Sequence, residues 1–382
     1  MVSRRVSEIP YSGIRRFFEL VSQSKGIVSL GVGEPDFPTP DPLKWGAVSA
    51  IESDYTSYTS NWGLIELRER IAEKLLRENK VRVDPEDEVL VTSGTSEALD
   101  LVFRALLNPG DEVLVPEPSY VSYKPCVWFS YGKPVGVPVR EENEFELTAE
   151  DVEEKISGKT RALIVASPNN PTGSVIKPEA LREIAQVAVD HDLWVVSDEL
   201  YEDLMYDGRR HVSLASLPGM RERTITINGF SKGFAFTGWR LGYAAGPNEV
   251  VEAMMKIHQY TMLCAPTISQ YAALESFKAK KHVKEMVREY DARRRLLVKG
   301  LNELPGIECI TPKGAFYTFP SIKETGKTSE KYAEELLKKA KVAVVPGQTF
   351  GPAGEGHIRC SYSVSKDTIN EALTRMKKHQ QK

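Results

Sequence analysis

The chain has 382 residues, 41% hydrophobic and 27% charged, with 50 Lys+Arg against 53 Asp+Glu for a net charge of −3. Set against a prior of ~150 residues per domain, that length predicts one large domain and a smaller companion. The composition excludes a disulfide miniprotein, a disordered chain and a membrane protein, and the scattered charges leave nucleic acid without an electrostatic footprint. Cysteines at 126, 264, 309 and 360 are too far apart for a zinc ribbon or a Cys-x-x-Cys pair, so four reduced thiols in a cytoplasm are expected. Apolar runs such as ALIVA stop far short of the ~18 residues of a membrane span, and the N-terminus lacks the apolar core of a signal peptide.

In chain order, Ile14, Phe17, Phe18 and Val21 stand at helical spacing and predict an arm that packs on the smaller unit or closes over a cleft. Short β-branched runs follow at 88–92, 112–116, 161–167, 193–198, 224–228 and 241–245, with VPVR at 136–139 a further strand. Helical patterns separate them, among them 95–107, ended by Asn108-Pro109-Gly110, and 178–191, opened by Lys177-Pro178-Glu179. Strands alternating with helices read as a mostly parallel α/β sheet. Beyond about residue 280 the texture changes: a charged helix (281–303), KGAFYTFP, a helix at 329–340, VAVVP and a last helix from about 367 form a separate α+β unit. The expected division is 1–44 for the arm and part of the small domain, 45–282 for the large domain and 283–382 for the small one.

Ligands of an open parallel sheet bind beyond the carboxyl ends of its strands, and four such ends are chemically loaded. Gly94-Thr95-Ser96 turns a strand into a helix, where free N–H groups, hydroxyls and the helix dipole suit a phosphate; a plain N-cap accounts for the same residues. Asp198 closes an apolar run, where a carboxylate is costly unless it is paired or caps a helix at 199–205. Tyr201, three residues on, is expected on the same side of that helix or as a packing residue. Asn170 lies in SPNNPTG, Lys232 stands between glycines in GFSKGFAFTGWRLG where a solvated lysine is the simpler alternative, and Arg240 follows as a bidentate phosphate clamp or a surface residue.

An amine, a buried carboxylate, a phenol, an amide and a phosphate cradle around one pocket match what pyridoxal 5'-phosphate (PLP) requires. The lysine forms the Schiff base, the carboxylate keeps the pyridine nitrogen protonated, the phenol and amide reach the 3'-oxygen, and Tyr120 in PEPSYVSY stacks on the ring.

At this point the sequence resembles the class I aminotransferases of PLP fold type I, from SLGVGEPDFPTP to HIRCSYS, and most specifically in GFSKGFAFTGWRLG. SPNNPTG, SDELYEDLMYDG and YTSNWGLIELRERIA support the likeness. The resemblance implies a large domain with a mostly parallel seven-stranded sheet between helices, plus a smaller α+β domain. It implies that Lys232 is the Schiff-base lysine, Asp198 the partner of the pyridine nitrogen, and Asn170 and Tyr201 the ligands of the 3'-oxygen. Gly94, Thr95, Ser96 and Arg240 would hold the phosphate, Tyr120 the ring face, and Arg359 the substrate α-carboxylate with Gly33 beside it. Tyr58 matches a tyrosine that reaches the neighbouring subunit's phosphate, which implies a homodimer with shared sites. One departure stands out: many relatives carry a phosphate-binding serine where this chain has Gly229, so Ser231 is the candidate to replace that contact.

The implied reaction is ping-pong transfer of an amino group from an L-amino acid to a 2-oxoacid. A carbon–sulfur β-lyase would use the same cofactor residues. A PLP-binding regulatory module would carry an added DNA-binding segment, and a nicotinamide dehydrogenase would need a G-x-G-x-x-G after the first strand, which is missing. YSGIRRFFE, KGAFYTFPSI and VAVVPGQTFGPAGEGHIR are most similar to an archaeal and bacterial subgroup of aromatic, aspartate and N-acetyl-diaminopimelate aminotransferases. An aromatic donor with 2-oxoglutarate as acceptor is the expectation, with Arg15 or Arg16 able to meet the distal carboxylate of aspartate instead.

Overall fold

The computed structural model describes residues 2–11, 13–14 and 26–380. Of the expected arm, Ile14 is among them, whereas Arg15, Arg16, Phe17, Phe18 and Val21 lie outside the described residues. After a short strand β1 (Val28–Ser29), the central sheet comprises β2 (Val89–Thr92), β3 (Glu112–Glu117), β4 (Lys133–Pro138), β5 (Thr160–Ala166), β6 (Trp194–Asp198), β7 (Thr224–Gly229) and β8 (Gly242–Ala245). Its order is β2-β8-β7-β6-β5-β3-β4. Only β8 runs against its neighbours β2 and β7; the remaining pairs are parallel.

Both faces of this sheet are covered, which is why β2, β3 and β8 are buried at every position and read as continuous apolar runs. Side-chain alternation sorts the strands into separate cores. Val113 and Val115 join one cluster with Leu99 and Phe103 of the helix Thr95–Leu106, while Leu114 points into another with Leu181 and Ile184 of the helix Pro178–Asp190.

The C-terminal unit follows the long helix Lys280–Asn302. Its strands are β9 (Tyr317–Thr318), β10 (Val342–Ala343), β11 (Val345–Pro346) and β12 (Ile358–Ser361), with β12 antiparallel between β11 and β9. Parallel pairing of Val28 with Val342 ties β1 to β10, so the start of the chain shares a core with its end through Leu30, Leu297, Phe316 and Tyr362.

Two expectations need correction. The strand read at 136–139 spans Lys133–Pro138. No helix forms over 199–205: Glu202 N–H reaches Glu199 O and Leu204 N–H reaches Tyr201 O in successive tight turns. The chain is drawn out of helical register because Leu204 O accepts from Ala315 N–H and Tyr206 N–H donates to Lys313 O, docking the segment on the C-terminal unit. Asp198 therefore caps no helix and Tyr201 is placed by a turn.

Candidate active site

A cavity of about 570 Å³ opens at the carboxyl ends of β5, β6 and β7. Its wall brings together Thr95 and Ser96, Asn170, Asp198 and Tyr201, Ser231 and Lys232, with Tyr120, Arg240, Gly33 and Arg359. The last two arrive from opposite ends of the chain, Gly33 after β1 and Arg359 on β12.

Lys232 donates from Nζ to Gly33 O at 2.7 Å. Burial pushes its pKa down to about 8; Glu34 opposes that shift, while the guanidiniums of Arg359 and Arg240 add to it. Near neutral pH the amine is thus poised to lose and regain a proton, as a general base requires.

Asp198 accepts from Tyr123 Oη at 2.7 Å and from Leu200 N–H at 3.1 Å. Burial holds its carboxyl above the usual range, and those two hydrogen bonds restrain the rise. The Tyr123 phenol is itself driven well above its ordinary value by burial and by the adjacent carboxylate. It stays a donor, and it stands edge-on to Tyr120 at 5.5 Å between ring centroids.

Tyr201 and Tyr317 share a hydrogen bond of 2.9 Å between their hydroxyls, both far into the protein, and burial raises the pKa of each. Arg359 is 2% exposed, so nothing but the cavity can solvate it. It donates from Nη1 to Asn170 Oδ1 at 2.9 Å and from Nη2 to Gly31 O at 2.8 Å, and it lies over the Tyr317 ring at 4.4 Å. Neither partner is anionic, and its Nε has no partner among the described residues. Burial lowers its pKa, yet a guanidinium remains charged. A buried cation whose hydrogen-bond partners are all neutral is a seat for a carboxylate.

Two glycines shape the opposite end. A Cβ on Gly94 (φ +78°) would fall 2.6 Å from Arg240 Nη2, so only glycine lets that guanidinium lie against the helix N-terminus at Thr95. Arg240 itself adopts φ +54° and anchors Nη1 on Thr237 O at 3.0 Å. A Cβ on Gly229 would stand 2.9 Å from Gly242 Cα and 3.0 Å from Leu241 O, so a serine at this position does not fit between β7 and β8 without a shift. Ser231 is buried and lines the cavity two residues further on.

Tyr58 stands apart: it is 80% exposed and outside the cavity of its own chain. Sequence reasoning missed Tyr123 and Tyr317. The second tyrosine of PEPSYVSY, at helical distance from Tyr120, was a usable signal for the first; nothing local marks Tyr317.

An amine, a carboxylate and two guanidiniums gathered at the carboxyl edge of an α/β sheet are the groups that PLP and an amino-acid substrate require. Residues 25–376 match the family model for aminotransferases of class I and II, and the chain belongs to that family. It is 49% identical over 380 residues to an aspartate aminotransferase of Pyrococcus abyssi (99% of this chain, 97% of the relative). To aromatic-amino-acid aminotransferase 2 of Thermococcus litoralis it is 47% identical, with the same coverage. Among solved structures, an aromatic aminotransferase from Pyrococcus horikoshii superposes with a TM-score of 0.91 at 48% identity, covering 95% of this chain and 98% of that one. The chain is a PLP-dependent aminotransferase of fold type I.

Proposed function

We propose that this enzyme takes the amino group of an L-amino acid, aromatic or broader in range, and passes it to 2-oxoglutarate in two ping-pong half-reactions. The site chemistry fits the cofactor. Thr95, Ser96, Ser231 and Arg240, beside the space that Gly94 leaves open, would hold its phosphate; Asp198 would face the pyridine nitrogen, Asn170 and Tyr201 the 3'-oxygen, and Tyr120 the ring. When bound, PLP supplies an electron sink for the charge left on the substrate carbon. Lys232 would take the proton from the substrate α-carbon and pass it to the cofactor's 4'-carbon, with its lowered pKa keeping enough neutral amine at working pH. Arg359 grips the α-carboxylate and so fixes which face of the α-carbon meets Lys232. Tyr123 holds Asp198 in place, and Tyr317 does the same for Tyr201.

The observation that carries the substrate reading is the composition of the wall. Ile14, Val32, Val121 and Leu200 offer apolar surface there. Burying an aromatic ring there contributes on the order of 2 kcal/mol, more than tenfold in preference over alanine. The acceptor rests on the sequence resemblance alone. The deciding measurement is kcat/KM for phenylalanine over that for aspartate with 2-oxoglutarate, expected above about ten. A ratio below one assigns the enzyme to aspartate, the substrate named for the Pyrococcus abyssi relative, and negligible rates with both point to N-acetyl-diaminopimelate.

The same proposal includes a homodimer in the cytoplasm. Trp45 and Ile51 on one helix, Tyr58, Tyr260 and Met262 are exposed apolar side chains, and Thr267 Oγ1 donates to Ser57 O beside Tyr58. All four cysteines are free, as a reducing compartment requires, and none of the described helices is long and apolar enough to cross a membrane. If Tyr58 serves the partner's phosphate, mixing Tyr58→Phe with Lys232→Ala subunits restores one intact site per mixed dimer; activity that stays lost after subunit exchange overturns it.

A further inference from the structure

Gly31 and Gly33 serve the candidate active site through their backbone alone. Gly31 O accepts from Arg359 Nη2 at 2.8 Å, and two residues on Gly33 O accepts from Lys232 Nζ at 2.7 Å and from Tyr317 Oη at 3.4 Å. The register between the guanidinium and the amine therefore follows from where this stretch of chain lies. Neither glycine has a side chain to anchor it, and a Cβ on Gly33 would already fall 3.0 Å from Tyr317 Oη, so the flanking residues must fix its position. Upstream, Leu30 N–H donates to Ala343 O at 2.8 Å and Leu30 O accepts from Ser361 N–H at 2.6 Å, both in the C-terminal unit. Downstream, Thr237 Oγ1 donates to Glu34 Oε2 at 3.2 Å, while Thr39 Oγ1 donates to Ala235 O at 2.8 Å and accepts from Trp239 Nε1 at 3.0 Å, all in the loop after Lys232.

Between those anchors the strap turns to the long helix Lys280–Asn302. Arg293 Nη1 donates to both carboxylate oxygens of Asp36, at 2.9 and 2.8 Å, Tyr290 Oη adds a contact at 3.4 Å, and Phe37 packs edge-on against the Tyr290 ring at 5.4 Å. Arg293 is 7% exposed, and Glu289, one turn back on the same helix, already gives it a counter-charge at 2.9 Å. A second carboxylate is more than the helix needs; what it adds is a charge-assisted hold on the strap. We propose that Asp36 and Arg293 are positioning residues for the transfer reaction, whose ion pair clamps residues 30–39 to the long helix and so keeps Gly31 O and Gly33 O, and with them Arg359 and Lys232, in register. The inference rests on the roles proposed above for those two groups. With the clamp open, Arg359 loses a fixed acceptor, and because it grips the carboxylate of the amino acid and of the oxoacid alike, both bind less well. Asp198 and its two donors lie outside the strap, so the chemical step suffers less.

The test uses the holoenzyme and reads KM for donor and acceptor, kcat, and the Kd of 3-phenylpropanoate, a carboxylate that cannot react. Asp36→Ala is expected to raise both KM values together by about tenfold while kcat falls no more than about threefold, and to weaken binding of the probe by about the same factor as KM. Arg293→Met gives the same pattern, and the double variant is no worse than either single one, as a single shared contact requires. Glu289→Gln, which takes the other carboxylate from Arg293 and leaves the strap attached, keeps all of these constants at wild-type values. Should Arg293→Met not fold, Asp36→Ala against Glu289→Gln decides alone, since both disturb the same guanidinium and only the first frees the strap. Unchanged KM values in Asp36→Ala, a loss confined to melting temperature or to kcat, or a double variant whose losses multiply overturns the proposal. A wild type that passes no amino group to 2-oxoglutarate breaks the proposed reaction instead, and binding of the probe still reads the clamp.

Discussion

Asp198 and Glu199 are consecutive carboxylates at the end of β6, and they face opposite environments. Glu199 is saturated: Ser197, Ser213 and Asn79 donate to it, and His211 Nε2 lies 2.9 Å away. Glu202 is drawn into the same network by Lys74, Asn79 and Asn228. Asp198 has two donors and an open cavity in front of it. Arg359 repeats the contrast among cations, since Arg294 meets Asp207 and Asp291 while Arg359 meets only an amide and a carbonyl oxygen. Saturated charges hold a fold; under-satisfied ones, kept so at a cost in stability, leave valence for a ligand.

The comparison breaks outright if the open side does not carry the chemistry. Lys232→Ala is expected to lower turnover by at least about 10⁴-fold, and borohydride should fix the cofactor to Lys232; an adduct mapped to another lysine refutes the assignment. Next in size is the paired change of the two carboxylates. Asp198→Asn should reduce kcat by about 10²–10³-fold with little change in the melting of the cofactor-free protein. Glu199→Gln should do the reverse, destabilising by about 3 kcal/mol because it takes from buried His211 its nearest counter-charge, with kcat within a few-fold. Similar losses of kcat from both would erase the distinction.

The smallest effect sharpens the comparison through pH. The folded protein holds Lys232 at about 8, and the unfolded chain releases the same proton only near 10.4. Between those values the unfolded state binds more protons, so the cofactor-free protein gains stability as pH rises through that window. Lys232→Met removes this contribution; denaturant titrations at pH 7 and pH 10 should show the variant's advantage over wild type shrinking at the higher pH. An advantage that stays constant would mean that the amine is not desolvated.

Much of this was legible in the chain itself. Strand ends were readable because buried parallel strands are continuous apolar runs stopped by polar residues, and the Lys232 segment because its glycines and aromatics admit few meanings. The partners were not. Tyr123 meets Asp198 across 75 residues and Tyr317 meets Tyr201 across 116, separations at which no spacing rule operates. The helix expected at 199–205 failed for the same reason: contacts with 313–315 outweigh local propensity. Gly229 was legible as a departure, but the crowding by β8 that keeps a side chain out appears only in the structure.

The hydrogen bonds from Lys232 to Gly33 and from Arg359 to Gly31 and Asn170 span 199, 328 and 189 residues. Such a site has an order of assembly. During synthesis the sheet that carries Asp198 and Lys232 is complete while β12 is still unmade, so a half-made chain owns the amine and the carboxylate without the guanidinium that selects a substrate. Recognition is thus the last property the polypeptide acquires, conferred when β12 slides between β9 and β11 and Ser361 N–H meets Leu30 O just past the first strand.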